Sequence, residues 1–211
     1  MKSMAQDRIV CVICIGLLMS LCFSGAGCIG QMTVPEDHFY TLPEVPPEGG
    51  ALPITEGTLA VDKLQAHGLY KERSLLYVLS DKPLELQRYY YRHWANSPSY
   101  LIQENLLAYL RTGNWAQKVI RYKSGMKADK IIRGQLLRFE RIVDKENVSI
   151  MASLELQLLN GDSPALPLIN NTYSARINAA DSSIYATVEA YAKALKQIYD
   201  GFINDIKKSS F

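Results

Sequence analysis

The clearest hydrophobic periodicity of the chain lies in its last third. Apolar residues at 148–158 alternate with mostly polar ones, which is typical of a strand with one buried and one solvated face. Farther along, Asp181 and Ser182 predict a helix cap. The apolar residues that follow recur every three or four positions and predict a long amphipathic helix; they are Ile184, Val188, Tyr191, Leu195, Ile198, Phe202 and Ile206.

A second helix is predicted near the middle of the chain. Ser97 suits a cap, and Pro98 suits the first helical position, where its missing N–H has no partner to lose. Thr112 and Gly113 predict its end, with Gly113 in the left-handed conformation. Its buried face is expected to hold Leu101, Ile102, Leu106, Tyr109 and Leu110.

The remaining apolar runs predict strands at 38–42, 57–64, 74–79, 84–91, 115–122, 131–143 and 172–177. Turn-forming residues at 80–83 predict a hairpin, and the proline-rich stretch 43–50 predicts a surface loop without core residues. Strands are therefore followed by a helix, then by strands and a second helix. This order predicts an α+β fold, a single domain with a mainly antiparallel sheet and two principal helices packed on one side.

The N-terminal region has the pattern of a secretory signal. Lys2 and Arg8 precede an apolar stretch at 9–23, and small residues at 24–27 follow it. These small residues ahead of Cys28 resemble a bacterial lipobox, although Gly25 stands where leucine is usual. We therefore expect a signal peptide at 1–27, a lipidated Cys28 with a tether at 28–37, and the domain at 38–211. The alternative is an uncleaved N-terminal anchor.

Cysteine usage agrees with lipidation. The four cysteines are Cys11, Cys14, Cys22 and Cys28, so cleavage before Cys28 leaves one thiol and no intramolecular disulfide. Cys11 and Cys14 have the spacing of a redox motif, but they lie inside the apolar signal, where we interpret the spacing as a chance match.

Composition indicates an ordinary globular domain, with 48% apolar and 21% charged residues and a formal net charge of +2. The charge is unevenly distributed, because nine basic and two acidic residues give residues 111–141 a net charge of +7. Arg133 and Arg138 of this segment are candidates for contact with lipid headgroups or an acidic partner. The alternative is a solvated strand face. No nucleic-acid-binding motif is present, and none is expected.

The sequence offers little evidence of catalysis. Its three histidines have no second histidine or cysteine at metal-ligand spacing, and no nucleophile elbow or phosphate-binding glycine loop is found. We expect no enzyme activity, no metal and no cofactor other than covalent lipid on Cys28. The aromatic group at 89–94 is conspicuous, and Tyr89, Tyr91 and Trp94 are candidates for a partner surface. Along a strand, however, Tyr90 would lie on the face opposite to Tyr89 and Tyr91. The alternative is therefore that part of this group packs in the core.

Several segments together resemble the auxiliary lipoproteins of ABC-type transport systems, a family that includes the lipoprotein of the paraquat-inducible operon. The resemblance covers nearly the whole chain after Cys28. It rests on residues 38–42, on 91–98 leading to Leu106 and Leu107, on 134–140, and on the alanine-rich C-terminal helix.

The resemblance implies a lipoprotein that works with an ABC ATPase, a permease and an MCE-domain protein to move phospholipid or another lipid. Its part would be anchoring or docking, and Ile29 after Cys28 implies the periplasmic face of the outer membrane. Three acyl chains on Cys28 would hold the protein stably to one leaflet. The alternative functions are assistance in outer-membrane assembly and direct lipid binding.

Overall fold

The computed structural model describes residues 34–47, 53–145 and 147–209, and the signal peptide, Cys28 and most of the tether lie outside these residues. Glu36–Phe211 form one compact unit. Its elements in chain order are β1 (His38–Tyr40), β2 (Thr55–Val61), β3 (Gln65–Ala66), a short 3-10 helix (Gly68–Lys71), β4 (Ser74–Leu79), β5 (Lys82–Trp94), α1 (Pro98–Thr112), β6 (Ala116–Arg121), β7 (Lys130–Asp144), β8 (Asn147–Asn160), β9 (Pro167–Asn178) and α2 (Ile184–Lys208).

Strand β7 organises the sheet. One of its edges pairs along its length with β8, which pairs in turn with β9, so these three strands form a long antiparallel meander. The other edge is shared by β2, β3 and β4, each parallel to β7. From there β2 continues to β6, and β4 continues to β5 and β1.

The predicted α+β fold with two principal helices is confirmed, with one correction to the sheet. The sheet is mixed, because β1–β5, β2–β6 and the three pairings on the second edge of β7 are all parallel. Periodicity locates strands well, but it does not identify partners that are distant in sequence.

Both helices and the sheet share one core. The predicted apolar stripe of α2 is buried from Val188 to Ile206, and it joins Leu106 and Leu110 of α1 in the same cluster. The helices also meet through a polar contact, because the Tyr199 hydroxyl donates to the carbonyl of Ile102 at 3.3 Å. The alternating apolar residues of β8 from Ile150 to Leu158 lie in this core, as predicted, but Ser149 and Ser153 of the predicted solvated face are also buried.

Four local predictions are corrected. The cap of α2 is Ser183, whose hydroxyl accepts from the Ala186 N–H at 3.0 Å. Asn114 takes the positive φ of 53° after α1, whereas Gly113 has a φ of −81°. Pro83 lies inside β5 rather than in the turn. Val45, in the predicted surface loop, is buried in the core.

A polar cluster surrounds the buried Glu140 in the last third of β7. The Glu140 carboxylate accepts hydrogen bonds from the Tyr70 hydroxyl at 2.9 Å and from the Phe139 N–H at 2.9 Å. Burial and the nearby Glu140 raise the pKa of Tyr70 well above its usual range. Burial is also the main reason that the pKa values of Tyr191 and Tyr199 are raised.

Two leucine-to-alanine substitutions test this packing. Leu154 at the centre of β8 is completely buried, whereas Leu84 of β5 is completely exposed. We expect Leu154→Ala to lower the free energy of unfolding by about 2–5 kcal/mol, because it leaves a cavity, and Leu84→Ala to change it little. Urea unfolding monitored by circular dichroism measures both, and equal effects would contradict the arrangement.

A pH titration tests the buried tyrosines. Their raised pKa values favour the neutral phenol in the fold, while the unfolded chain ionises near pH 10. Their contribution to stability is therefore complete below about pH 10 and is lost as the pH rises further. The free energy of unfolding should fall above that pH, less steeply in Tyr70→Phe than in the native chain. Equal slopes would exclude Tyr70 as a contributor.

Candidate functional site

The aromatic stretch of β5 lies at an irregularity in its pairing with β4. Ser74 pairs with His93 and Leu76 with Arg88, so the single intervening residue of β4 faces the four residues 89–92 of β5. Extra residues on one strand interrupt the regular alternation of faces. Tyr90 and Tyr91 are both exposed as a result, at 76% and 47%.

Tyr89 points inward, unlike the two tyrosines that follow it. Its ring packs against that of Tyr77 at a tilt of 40° with centroids 4.6 Å apart, and its hydroxyl accepts from the Arg141 guanidinium at 2.7 Å. Burial, the largest cause, raises the pKa of Tyr89, although the Arg141 charge opposes the shift. Tyr89 is therefore a half-buried structural residue and offers a partner less surface than predicted.

Trp94 is only 1% exposed, which corrects its placement on a partner surface. Its ring lies 5.3 Å from the ring of Phe139 and 5.4 Å from that of Tyr191. Three buried aromatic rings from β5, β7 and α2 thus meet at one point of the core.

Four exposed apolar side chains on β1 and β5 form what we call the apolar edge; they are Phe39, Leu84, Tyr90 and Tyr91. β1 pairs only with residues Arg92–Trp94 of β5, so the rest of that edge of β5 has no neighbouring strand among the described residues. Of this group, only Tyr91 was among the candidates predicted from the sequence. Phe39 and Leu84 gave no signal, because each occurs in an ordinary strand pattern.

The two candidate arginines differ in their surroundings. Arg133 is exposed and bonds Asp62 at 3.2 Å, an ion pair of the kind that contributes little to stability. Arg138 donates to the buried Glu140 at 2.7 Å and so compensates a carboxylate that the core encloses. Arg133 is therefore the cleaner test of a basic docking surface, because reversing Arg138 would place a second carboxylate beside Glu140.

A groove of about 770 Å³ lies between the segment that starts with β1 and the first turns of α2. Val45, Val188 and Ala192 provide buried apolar groups in its lining, and Phe39 and Tyr185 are its exposed aromatic residues. Glu44, Glu189, Lys193 and Lys196 supply charges of both signs. The groove can accept an extended apolar group with polar ends.

The described residues contain no group of three histidine, cysteine or acidic side chains placed to hold a metal ion. His93 Nε2 lies 3.2 Å from the Asp37 carboxylate, at the start of β1. No helix in the same part of the chain is long and apolar enough to span a membrane. Cys28 lies outside the described residues, so its lipidation stays a prediction.

Comparisons with known proteins identify the fold. The chain is similar to protein XCC0632 from Xanthomonas campestris, of the DUF330 family, with 18% identity over 79% of this chain and 92% of that one, and a TM-score of 0.68. It is also similar to an uncharacterized protein, with 13% identity over 82% and 99% of the two chains and a TM-score of 0.60. No curated protein matches the chain in sequence.

The family model described as "ABC-type transport auxiliary lipoprotein component" matches residues 40–201. The match begins in β1 and extends into α2, so it covers most of the elements that build the core and the groove. The chain therefore belongs to the family of ABC-type transport auxiliary lipoprotein components.

Proposed function

We propose that this protein is a non-catalytic docking component of an ABC transport system that moves lipid between membranes. Lipid on Cys28 holds it to the periplasmic face of the outer membrane, and an MCE-domain protein is its direct partner beside the ABC permease and ATPase. The family match over residues 40–201 is the observation that carries the proposal. The match supports the role of an auxiliary lipoprotein of an ABC transporter. The identity of the partner protein and of the membrane is our inference.

A lipid anchor and an exposed aromatic surface are sufficient for a docking role that needs no catalysis. An anchor confines the domain to a layer beside the membrane, which raises its effective concentration for partners there. Exposed aromatic side chains such as Tyr90 and Tyr91 supply contact area with little entropy to lose, since each has few rotatable bonds.

Affinity purification tests the partner. A tag placed after Phe211 is used to recover the crosslinked protein from intact membranes, and mass spectrometry identifies what comes with it. We expect an MCE-domain protein together with an ABC permease or ATPase. An Arg133→Glu variant, matched by Lys145→Glu in the turn between β7 and β8, tests the basic face. Recovery of none of these proteins would contradict the proposal.

Substitution of the anchor residue tests the membrane attachment. We expect Cys28→Ala to move the protein from the membrane to the soluble fraction while leaving its circular dichroism unchanged, because Cys28 precedes the compact unit. Cell fractionation and the mass of the mature N-terminus measure this. An unmodified Cys28 in the native protein would exclude lipidation.

Direct lipid binding is a second candidate function, and the groove beside α2 favours it. Its volume of about 770 Å³ and its apolar groups suit one acyl chain, with Lys193 available for a phosphate. On this candidate the domain carries lipid itself, whereas on the first it only positions the transporter.

Filling the groove tests this candidate. Ala192→Trp places a large ring against Val188, so the amount of phospholipid that remains with the Cys28→Ala chain through purification should fall severalfold. Gln117→Trp, on the exposed β6, is the matched control and should retain the lipid. Native mass spectrometry measures the bound lipid. A native chain that carries none would contradict lipid binding.

A further inference from the structure

Large exposed apolar side chains are concentrated on two strands. Nine such residues occur in the described part of the chain, and four of them form the apolar edge on β1 and β5. Leu84 is completely exposed, and Phe39 is 57% exposed. Leu84 lies six residues before Tyr90 along β5 and is by itself an ordinary surface leucine, whereas Phe39, Tyr90 and Tyr91 lie where β1 meets β5, and such a group indicates a binding surface.

The local backbone keeps these side chains exposed. Arg141 holds the Tyr89 hydroxyl, while Trp94 is fixed in the core. Between these two points β5 has more residues than β4 can pair with, so Tyr90 and Tyr91 extend into solvent. Their exposure follows from fixed neighbours on both sides, and the surface is therefore preformed.

The length of chain between Cys28 and β1 limits how far the domain can lie from the bilayer. His38 follows Cys28 by ten residues, and an extended chain spans at most about 3.6 Å per residue, so lipid on Cys28 would hold the start of β1 within about 36 Å of the bilayer. β1 runs parallel to β5 with His38 opposite Arg92, so the chain enters β1 from the side of Tyr91. The described residues just before β1 therefore approach the domain beside Tyr91.

Charge distinguishes this edge from the basic segment. Two ion pairs lie along β5, Lys82 with Glu85 and Arg88 with Glu72, while Arg73 lies over the Phe39 ring and Arg92 donates to the Tyr40 hydroxyl. These pairs leave little net charge beyond the two arginines, so we expect most of the binding energy to come from burial of apolar area. Tyrosine suits the headgroup layer in particular, because its ring is apolar and its hydroxyl stays hydrated.

We propose that the apolar edge lies against the headgroup layer of the membrane to which Cys28 is anchored and so fixes the orientation of the domain. This inference rests on the proposed lipidation of Cys28. Penetration is limited to the headgroups, because the unpaired backbone groups of β5 need water as hydrogen-bond partners. The contact adds to the anchor and does not replace it.

Hydroxyl-radical footprinting on vesicles tests the proposal. Cys28 is the only cysteine of residues 28–211, so this chain can be coupled through it to a maleimide lipid in vesicles of phosphatidylethanolamine and phosphatidylglycerol. We expect oxidation of Phe39, Tyr90 and Tyr91 to fall severalfold relative to the Cys28→Ala chain in solution. Met126 and Leu166, exposed on other parts of the domain, should be oxidised as before.

A double variant supplies the second measurement. In Tyr90→Ser/Tyr91→Ser the protection of Phe39 should be lost, whereas Leu166→Ser should retain it. Protection should also persist at about 1 M salt, where the Debye length is about 3 Å, because the contact is apolar.

Three results would overturn the membrane contact: no protection of the apolar edge, equal protection of Met126 and Leu166, or protection that appears only after a partner protein is added. The last result would assign the edge to a protein interface. Since the synthetic anchor does not depend on natural lipidation, an unmodified Cys28 in cells would refute the proposed function and leave this measurement valid.

Discussion

The contact between the rings of Trp94, Phe139 and Tyr191 joins three elements that are distant from one another in the sequence. Their centroids lie 4.1–5.4 Å apart, so β5, β7 and α2 are fixed to each other at one buried point. Trp94 is also the last residue of β5, and β1 pairs with the three residues that end there. The contact that fixes Trp94 therefore also fixes the position of β1.

The exposed tyrosines are a consequence of the same constraint. Trp94 is fixed by its neighbours in the core, and Tyr89 is fixed by Arg141, whose guanidinium also donates to the carbonyl of Ser182 at 2.8 Å. The residues between Tyr89 and Trp94 therefore cannot all pair with β4, and the side chains of Tyr90 and Tyr91 extend into solvent. No carboxylate among the described residues pairs with the buried Arg141, which is costly, and its hydrogen bonds link β5 to the residues just before α2.

Local periodicity was sufficient to predict the helices and most strands, because β8 and α2 each present one continuous apolar face. It was not sufficient at 89–94, where strict alternation would place Tyr89 and Tyr91 together. β4 has fewer residues than β5 over this stretch, and this mismatch interrupts the alternation. A single sequence does not reveal which strands pair or where their residue numbers differ. Trp94 was assigned to a surface for the same reason. The parallel partners of β7 were also missed, since they are selected by packing between distant segments.

The apolar edge and the groove beside α2 share one residue, Phe39, which belongs to both. If the edge rests on the headgroup layer, Phe39 brings the mouth of the groove to the same surface. An acyl chain could then enter the groove without crossing open water. Exposure of the acyl chain to water would otherwise cost free energy and oppose the transfer. Docking and lipid binding would in that case use one orientation of the domain, and the anchor on Cys28 would serve both by limiting the orientations that the domain must search.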